Sequence, residues 1–370
     1  MQDFAYYERD NPARPFASRG EAARGVTALR GTGPEHCAQL LRTRAGYALL
    51  LLRGQLEDAS NAAILDSFQV HPRPGYTGRA LQSGKGRVID ASGRSLSARQ
   101  VRAEDVEWSQ AWEVETRHYH LTCSVSAERA LSYAALLETL YDTYAGVFRP
   151  DTEPDFKIEV HVMHDEAQYH QVLGGLGVHL SSGMIGMFIP ELLGMFIFDD
   201  TSRYTASAES VLAHESSHHF LHVTCNGSAH VPTWINEGLA VYFEAGEYGP
   251  RTARWQAPMD RLRRLKALYR QTERPLRALD SYLDHYGHIT SDQYAEVYAM
   301  THFWVFGSNS GRERFHDYWH ALKAGENGTT AFERIFMQDL IRTHGSREAA
   351  CQVWADALVR YVLAGKPEQK

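Results

Sequence analysis

The chain has 370 residues, of which 44% are hydrophobic and 22% charged, and a formal net charge of −7. That length accommodates two domains, or one large domain with an appendage, and the balance is that of an ordinary globular protein. The acidic excess gives no electrostatic reason to bind nucleic acid or anionic lipid. The four cysteines, Cys37, Cys123, Cys225 and Cys351, form no C-x-x-C pair, which excludes a cysteine zinc ribbon and a disulfide-dense scaffold.

The first residues carry Asp3, Glu8 and Asp10 and no apolar run, so they do not read as a signal peptide. The compartment stays open: cytoplasmic as written, exported if a leader has been removed. From about residue 45 to 106, short apolar runs (Tyr47–Leu52, Val88–Ile89) alternate with the turn signals Pro74-Gly75, Ser83-Gly84 and Ser92-Gly93. A small β-rich region over 1–107, without a functional reading, is expected to precede a second unit over 108–370.

In that second unit Trp112–Cys123 reads as one strand. Ser126 then precedes a helix from Ala127 to about Phe148, with Leu131, Ala134, Leu137, Leu140, Tyr141 and Tyr144 on one stripe. Lys157–Val162 alternates like a half-buried strand, and a short helix follows over Glu166–Leu173. Met184–Ile189 and Met195–Phe198 read as two strands joined through Pro190–Gly194. Ser181–Phe198 is the longest apolar stretch, but Pro190 and Glu191 interrupt it, so no transmembrane helix is expected. From about 206 onward the pattern is helical, with breaks at Gly246, Gly287, Gly311 and Gly345. Strands first and helices after give an α+β fold.

The segment that carries chemistry is Val211-Leu212-Ala213-His214-Glu215-Ser216-Ser217-His218-His219-Phe220-Leu221-His222. Residues four apart on a helix are neighbours, with Cβ atoms about 5–6 Å apart, so His214 and His218 can hold one cation from the same side. Glu215 lies close enough to meet a water on that cation and take its proton. Imidazole and carboxylate are the usual ligands of catalytic zinc, which leaves one position open for water. A bare H-E-x-x-H is a moderate signal in a chain with 19 histidines. The apolar flanks Val211–Ala213 and Phe220-Leu221 argue that this helix is buried, and buried histidines beside a buried glutamate need partners.

Eighteen residues beyond His218 comes Glu237, in Pro232-Thr233-Trp234-Ile235-Asn236-Glu237-Gly238-Leu239-Ala240. H-E-x-x-H, eighteen residues, then W-x-N-E-G resembles the gluzincins, zinc peptidases of the thermolysin and aminopeptidase kind. The wording is especially similar to the bacterial peptidase MA-like group, a domain of unknown function. The resemblance is strong over 207–244 and loose elsewhere between about 112 and 308. It implies a thermolysin-like catalytic domain, one zinc held by His214, His218 and Glu237, Glu215 as general base, and a peptide or protein as substrate. It further implies that Glu244, two turns beyond Glu237, orients a ligand histidine, and that a tyrosine on a later helix stabilises the oxyanion. Tyr294 in Ser291-Asp292-Gln293-Tyr294-Ala295-Glu296-Val297-Tyr298 is the first candidate for that tyrosine and Tyr298 the second; His285 and His288 could play the same part. Peptidases of this kind bind an extended peptide along a strand edge just before the metal helix, where Gly186–Phe198 lies. The G-x-M-E-N sequence that captures a free N-terminus is missing, and Glu191 is the only acid in the segment.

Other histidines fit less well. His219 points about 100° from His218, and His222 lies about 12 Å along the axis from His214. The metzincin pattern needs a histidine where Thr224 stands, and His230 has a poorer context than Glu237. The basic run Arg261, Arg263, Arg264, Lys266 and Arg270 reads as a solvated helix face. Two further functions share the motif: a non-catalytic, zinc-containing peptide binder, and a zinc hydrolase of a non-peptide amide or ester.

Overall fold

A computed structural model describes residues 106–368, apart from 152, 155–156, 179–182, 193, 226, 229 and 250–251, together with strand backbones between 17 and 90 and residues 95 and 97. Asp3, Glu8, Asp10, Pro74-Gly75 and Ser92-Gly93 lie outside the described residues. The fold is α+β, as the order of sequence patterns implies.

Strands β1–β4 (Ala17–Ala23, Val26–Thr32, His36–Thr43, Gly46–Arg53) form an antiparallel meander. A second sheet contains β5 (Arg79–Gly84), β6 (Arg87–Asp90), β7 (Trp112–Glu115), β8 (Tyr119–Cys123), β9 (Ile158–Met163), β10 (Gly186–Ile189) and β11 (Gly194–Phe198). Its spatial order is β10-β11-β9-β8-β7-β5-β6. The Ser83-Gly84 signal sits where β5 turns into β6. Because β5 pairs in parallel with β7, matching Arg79 with Trp112 and Leu81 with Val114, the division expected at residue 107 falls inside one sheet.

Residues 112–123 form a hairpin, not the single strand expected. The Thr116 N–H donates to the Tyr119 carbonyl at 2.9 Å, and its Oγ1 accepts from the Tyr119 N–H at 3.1 Å. A threonine closes the turn, so no glycine or proline marks it in the sequence.

Along β11 the side chains alternate as a pleated strand requires. Met195 and Ile197 join one apolar cluster, Phe196 and Phe198 another. Helices α1 (Ala127–Phe148) and α3 (Ala208–Thr224) pack on the first face, while α2 (Glu166–Gly175) covers the second. Ser126 caps α1 by accepting the Arg129 N–H at 3.1 Å, as its position in the sequence predicts. Leu137, Leu140 and Tyr144 of the expected stripe are fully buried, and each fully buried aliphatic side chain contributes ~1.5–3 kcal/mol.

Next comes a layer of helices: α4 (Thr233–Glu244), α5 (Met259–Thr272), α6 (Leu279–Leu283), α7 (Ser291–Thr301), α8 (Asn309–Lys323), α9 (Gly328–Phe332), α10 (Gln338–His344) and α11 (Arg347–Leu363). A small hairpin, β12 (Glu247–Gly249) with β13 (Thr252–Arg254), interrupts it after the Gly246 break. Gly345 ends α10 with φ 83°. Gly311 is not a break: it sits in the first turn of α8, where a Cβ would come within 2.4 Å of the Trp304 carbonyl.

Gly238 fixes how α4 meets α7. A Cβ there would lie 2.1 Å from Thr301 Oγ1 and 2.5 Å from the Val297 carbonyl. The close approach this glycine permits is therefore to the helix bearing Tyr294, not to the helix bearing the histidines. Gly238→Ala is expected to destabilise the fold by about 1–3 kcal/mol, the usual cost of overpacking. Gly146, exposed in α1 with nothing within 4 Å of its Cβ position, provides the contrast: Gly146→Ala should stabilise by about 0.5–1 kcal/mol. Denaturant unfolding of both variants checks the pair.

Candidate active site

Helix α3 is held from three sides. Ser207 caps it by accepting the Ser210 N–H at 3.1 Å. Arg129 of α1 pairs with Asp199, just after β11, and with Glu209 in the first turn of α3 at 2.9 Å. The Tyr144 hydroxyl donates to the Ala213 carbonyl at 2.7 Å and lies 2.7 Å from Ser216 Oγ. These contacts lock the turn that presents His214 and Glu215.

Across from that turn, α4 presents Glu237. His214 Nε2 and His218 Nε2 stand 3.5 and 3.6 Å from Glu237 Oε2, and one ligand atom from each residue falls within 4.8 Å of the others. Glu237 Oε2 is buried without a hydrogen-bond partner. The remaining ring nitrogens are engaged: His214 Nδ1 lies 3.1 Å from Glu244 Oε2, and His218 Nδ1 lies 2.9 Å from Asn236 Oδ1. Two acceptors therefore draw the imidazole protons to Nδ1, so each neutral ring turns its Nε2 lone pair toward Glu237. A tetrahedral ion with ligands ~2.0–2.1 Å away keeps those ligands roughly 3.4 Å apart. The donor set suits a divalent cation, and both histidine-to-Glu237 distances match that spacing.

Electrostatics of the cluster follow from that convergence. Burial works to lower the His214 pKa, but the Glu237 and Glu244 carboxylates outweigh it and hold the ring up to about 10. His218 is raised as well, with Glu237 overcoming burial. Glu237 is pushed far below the carboxylate range, because His218 and His214 outweigh its desolvation. Glu244 is lowered too: burial opposes it, and His214 and Arg261 prevail.

Glu215 projects from the same turn of α3 toward the free edge of β10, where its Oε2 accepts the Phe188 N–H at 2.9 Å. Gly186 lets that strand lie so close, since a Cβ there would come within 2.6 Å of Val211 and 2.7 Å of Ile197. Tyr294 opens out of α7, which Thr290 and Gln293 cap as a reciprocal pair. Its ring centroid is 6.3 Å from that of His214, and the Arg261 guanidinium lies 5.4 Å from the same ring. Burial, then Glu237 and Glu215, raise the Tyr294 pKa, so the phenol keeps its proton. A cleft of about 570 Å³ runs over these groups, lined among others by Gly186, His214, Glu215, Glu244, Arg261 and Tyr294.

Tyr298, the second candidate for the oxyanion, is fully buried and donates to the Pro367 carbonyl at 2.9 Å; it belongs to the core, one turn too deep. His285 Nε2 lies 2.9 Å from the His288 carbonyl, away from the cleft lining. His219 is buried, stacks on Phe188 with centroids 4.7 Å apart and is pushed down to about 3 by burial. His222 contacts Ser228 and His230 contacts the Leu322 carbonyl. The Glu191 side chain lies outside the described residues.

Three participants are missing from the sequence reading. Asn236 sits inside the W-x-N-E-G wording, yet only the fold shows it reaching His218. The Phe188 N–H has no sequence signal, being backbone. Arg261, expected on a solvated face, pairs with Glu244 at 2.8 Å inside the cleft. No protein-family model matches the chain, and no curated protein matches it by sequence.

Glu237→Gln removes the carboxylate that raises both histidines. Imidazole NMR titration of chelator-treated protein should show the midpoints of His214 and His218 moving down toward the ordinary histidine range. Unchanged midpoints would mean that Glu237 does not face them.

Proposed function

We propose that this chain is a gluzincin-type metallopeptidase with a thermolysin-like catalytic domain, which binds one zinc ion through His214, His218 and Glu237 and hydrolyses peptide bonds. The observation that carries the proposal is the convergence of those three donors beside Glu215, a carboxylate left out of the cluster. A purely structural metal site has no use for such a base, which favours an enzyme over a non-catalytic binder. A peptide fits better than a compact amide or ester because β10 is the edge strand of its sheet. Phe188 N–H points outward from β10, and Gly186, two residues back on the same side, lines the cleft. An extended chain can add to that edge through main-chain hydrogen bonds.

Zinc bound at this cluster supplies Lewis acidity, bringing the pKa of a water toward neutrality and polarising a carbonyl. The residues do the rest. With Oε2 held by the Phe188 N–H, Glu215 takes the proton of the attacking water on Oε1 and later delivers it to the leaving amine. Tyr294, neutral because it is buried beside carboxylates, donates a hydrogen bond to the oxyanion. Glu244 and Asn236 hold the ligand rings in place.

Removing the metal with a chelator should abolish cleavage of an unbiased peptide mixture, and one equivalent of zinc should restore it. Glu215→Gln is expected to keep its zinc and lose about 10²–10⁴-fold in kcat. Tyr294→Phe should lose about 10²–10³-fold in kcat with KM little changed. A metal-replete parent that cleaves nothing, or a Glu215→Gln variant as active as the parent, would overturn the proposal.

A further inference from the structure

Helix α5 forms one wall of the cleft, and its basic residues divide between two sides. Arg263 points outward, 69% exposed and paired with Asp260. Arg261 and Arg264, three residues apart and hence on one face, line the cleft together with Leu265 and Leu268.

Each of the two guanidiniums is paired with an acid of the scaffold, Arg261 by a hydrogen bond and Arg264 by an ion pair. Arg261 Nη2 binds Glu244 Oε1 at 2.8 Å, while the other oxygen of Glu244 is committed to His214. Arg264 Nε pairs with Asp292 Oδ1 of α7 at 2.6 Å. Both side chains line the cleft and remain accessible to solvent, Arg261 36% and Arg264 67% exposed. A guanidinium carries five N–H donors in a planar fork, so each keeps donors that its anchor does not use. Arg261, held on one edge and open on the other, is the better preorganised of the two for a planar anion, because less side-chain entropy remains to be lost on binding. The geometry of the anchors also explains why two arginines, not lysines, suit this wall: a lysine ammonium cannot grip a scaffold acid and a substrate oxygen in one plane.

We propose that Arg261 and Arg264 form a subsite for a substrate carboxylate, so that the preferred peptides carry a carboxylate next to the bond that is cut. That carboxylate comes either from the C-terminus of the peptide or from an acidic side chain. The proposal rests on the peptidase reading above and adds its substrate class. Arg261 doubles as a positioning residue through Glu244, so Arg264 is the residue to vary.

The test uses the zinc-loaded full chain with two sets of short peptides. One set differs only in a free or amidated C-terminus. The other set is amidated throughout and carries Glu or Gln at each position in turn. Steady-state kinetics should give a KM at least about tenfold lower for the carboxylate-bearing member of one set, as one charge-assisted hydrogen bond can supply. Arg264→Gln should erase most of that preference while leaving kcat on amidated, uncharged peptides unchanged, and Arg264→Lys should recover part of it. Preference in the first set assigns the C-terminal carboxylate, and in the second the acidic side chain. Equal KM values across both sets, or a preference that persists in Arg264→Gln, overturns the subsite. Binding of the same labelled peptides to zinc-loaded Glu215→Gln, read by fluorescence anisotropy, separates the two proposals. Carboxylate-selective binding without cleavage by the parent would retain the subsite and remove the peptidase reading; no binding and no cleavage removes both.

Discussion

Three electron-pair donors brought to within a few ångströms of one another in a largely dry place repel unless positive charge sits between them. His214, His218 and Glu237 are in that position, and the surrounding structure is organised around it. The three groups respond to one another accordingly: the carboxylates raise the histidines, and the histidines lower Glu237. A divalent cation would supply positive charge in a fixed geometry, releasing protons as it binds. The constraint then spreads outward. Glu244 and Asn236 turn the rings, Arg261 holds Glu244, and Tyr144 pins the backbone of the turn from behind.

Two helices must meet at the right height for this to work, and neighbours outside the site set that height. Gly238 draws α4 down onto α7, the helix whose Tyr294 lines the same cleft as His214 and Glu244. Gly186 draws the edge strand down onto α3, which brings the Phe188 N–H to Glu215. Two missing Cβ atoms thus help place the helix of Tyr294 and the edge of β10 beside the cluster of His214, Glu215 and Glu237.

The chemistry at the centre was legible in the sequence because it follows helical periodicity. His214 and His218 share a face by spacing alone, and Glu215 follows from adjacency. Glu237 rests on resemblance to known wording, since no periodicity links residues on different helices; the structure brings it to the histidines. Glu244 meets His214 as that resemblance implies, and Tyr294, not Tyr298, reaches the cleft because α7 turns only its first turn outward. What was illegible depends on tertiary contact. The basic run on α5 has the composition of a solvated face, which Arg263 and Arg264 largely keep, and only the fold shows Arg261 reaching Glu244 and Arg264 reaching Asp292 at the cleft. The hairpin at 112–123 escaped because a threonine closes its turn. The β12–β13 hairpin escaped because three-residue strands are too short for a pattern.

The measurement closest to the central claim is zinc-edge X-ray absorption and anomalous diffraction on metal-loaded protein. The account predicts one zinc per chain, with two imidazoles and one carboxylate oxygen at ~2.0–2.1 Å, no sulfur ligand and one lighter-atom ligand from solvent. Zinc bound elsewhere, a sulfur in the first shell, or a fourth protein side chain closing the site would contradict it.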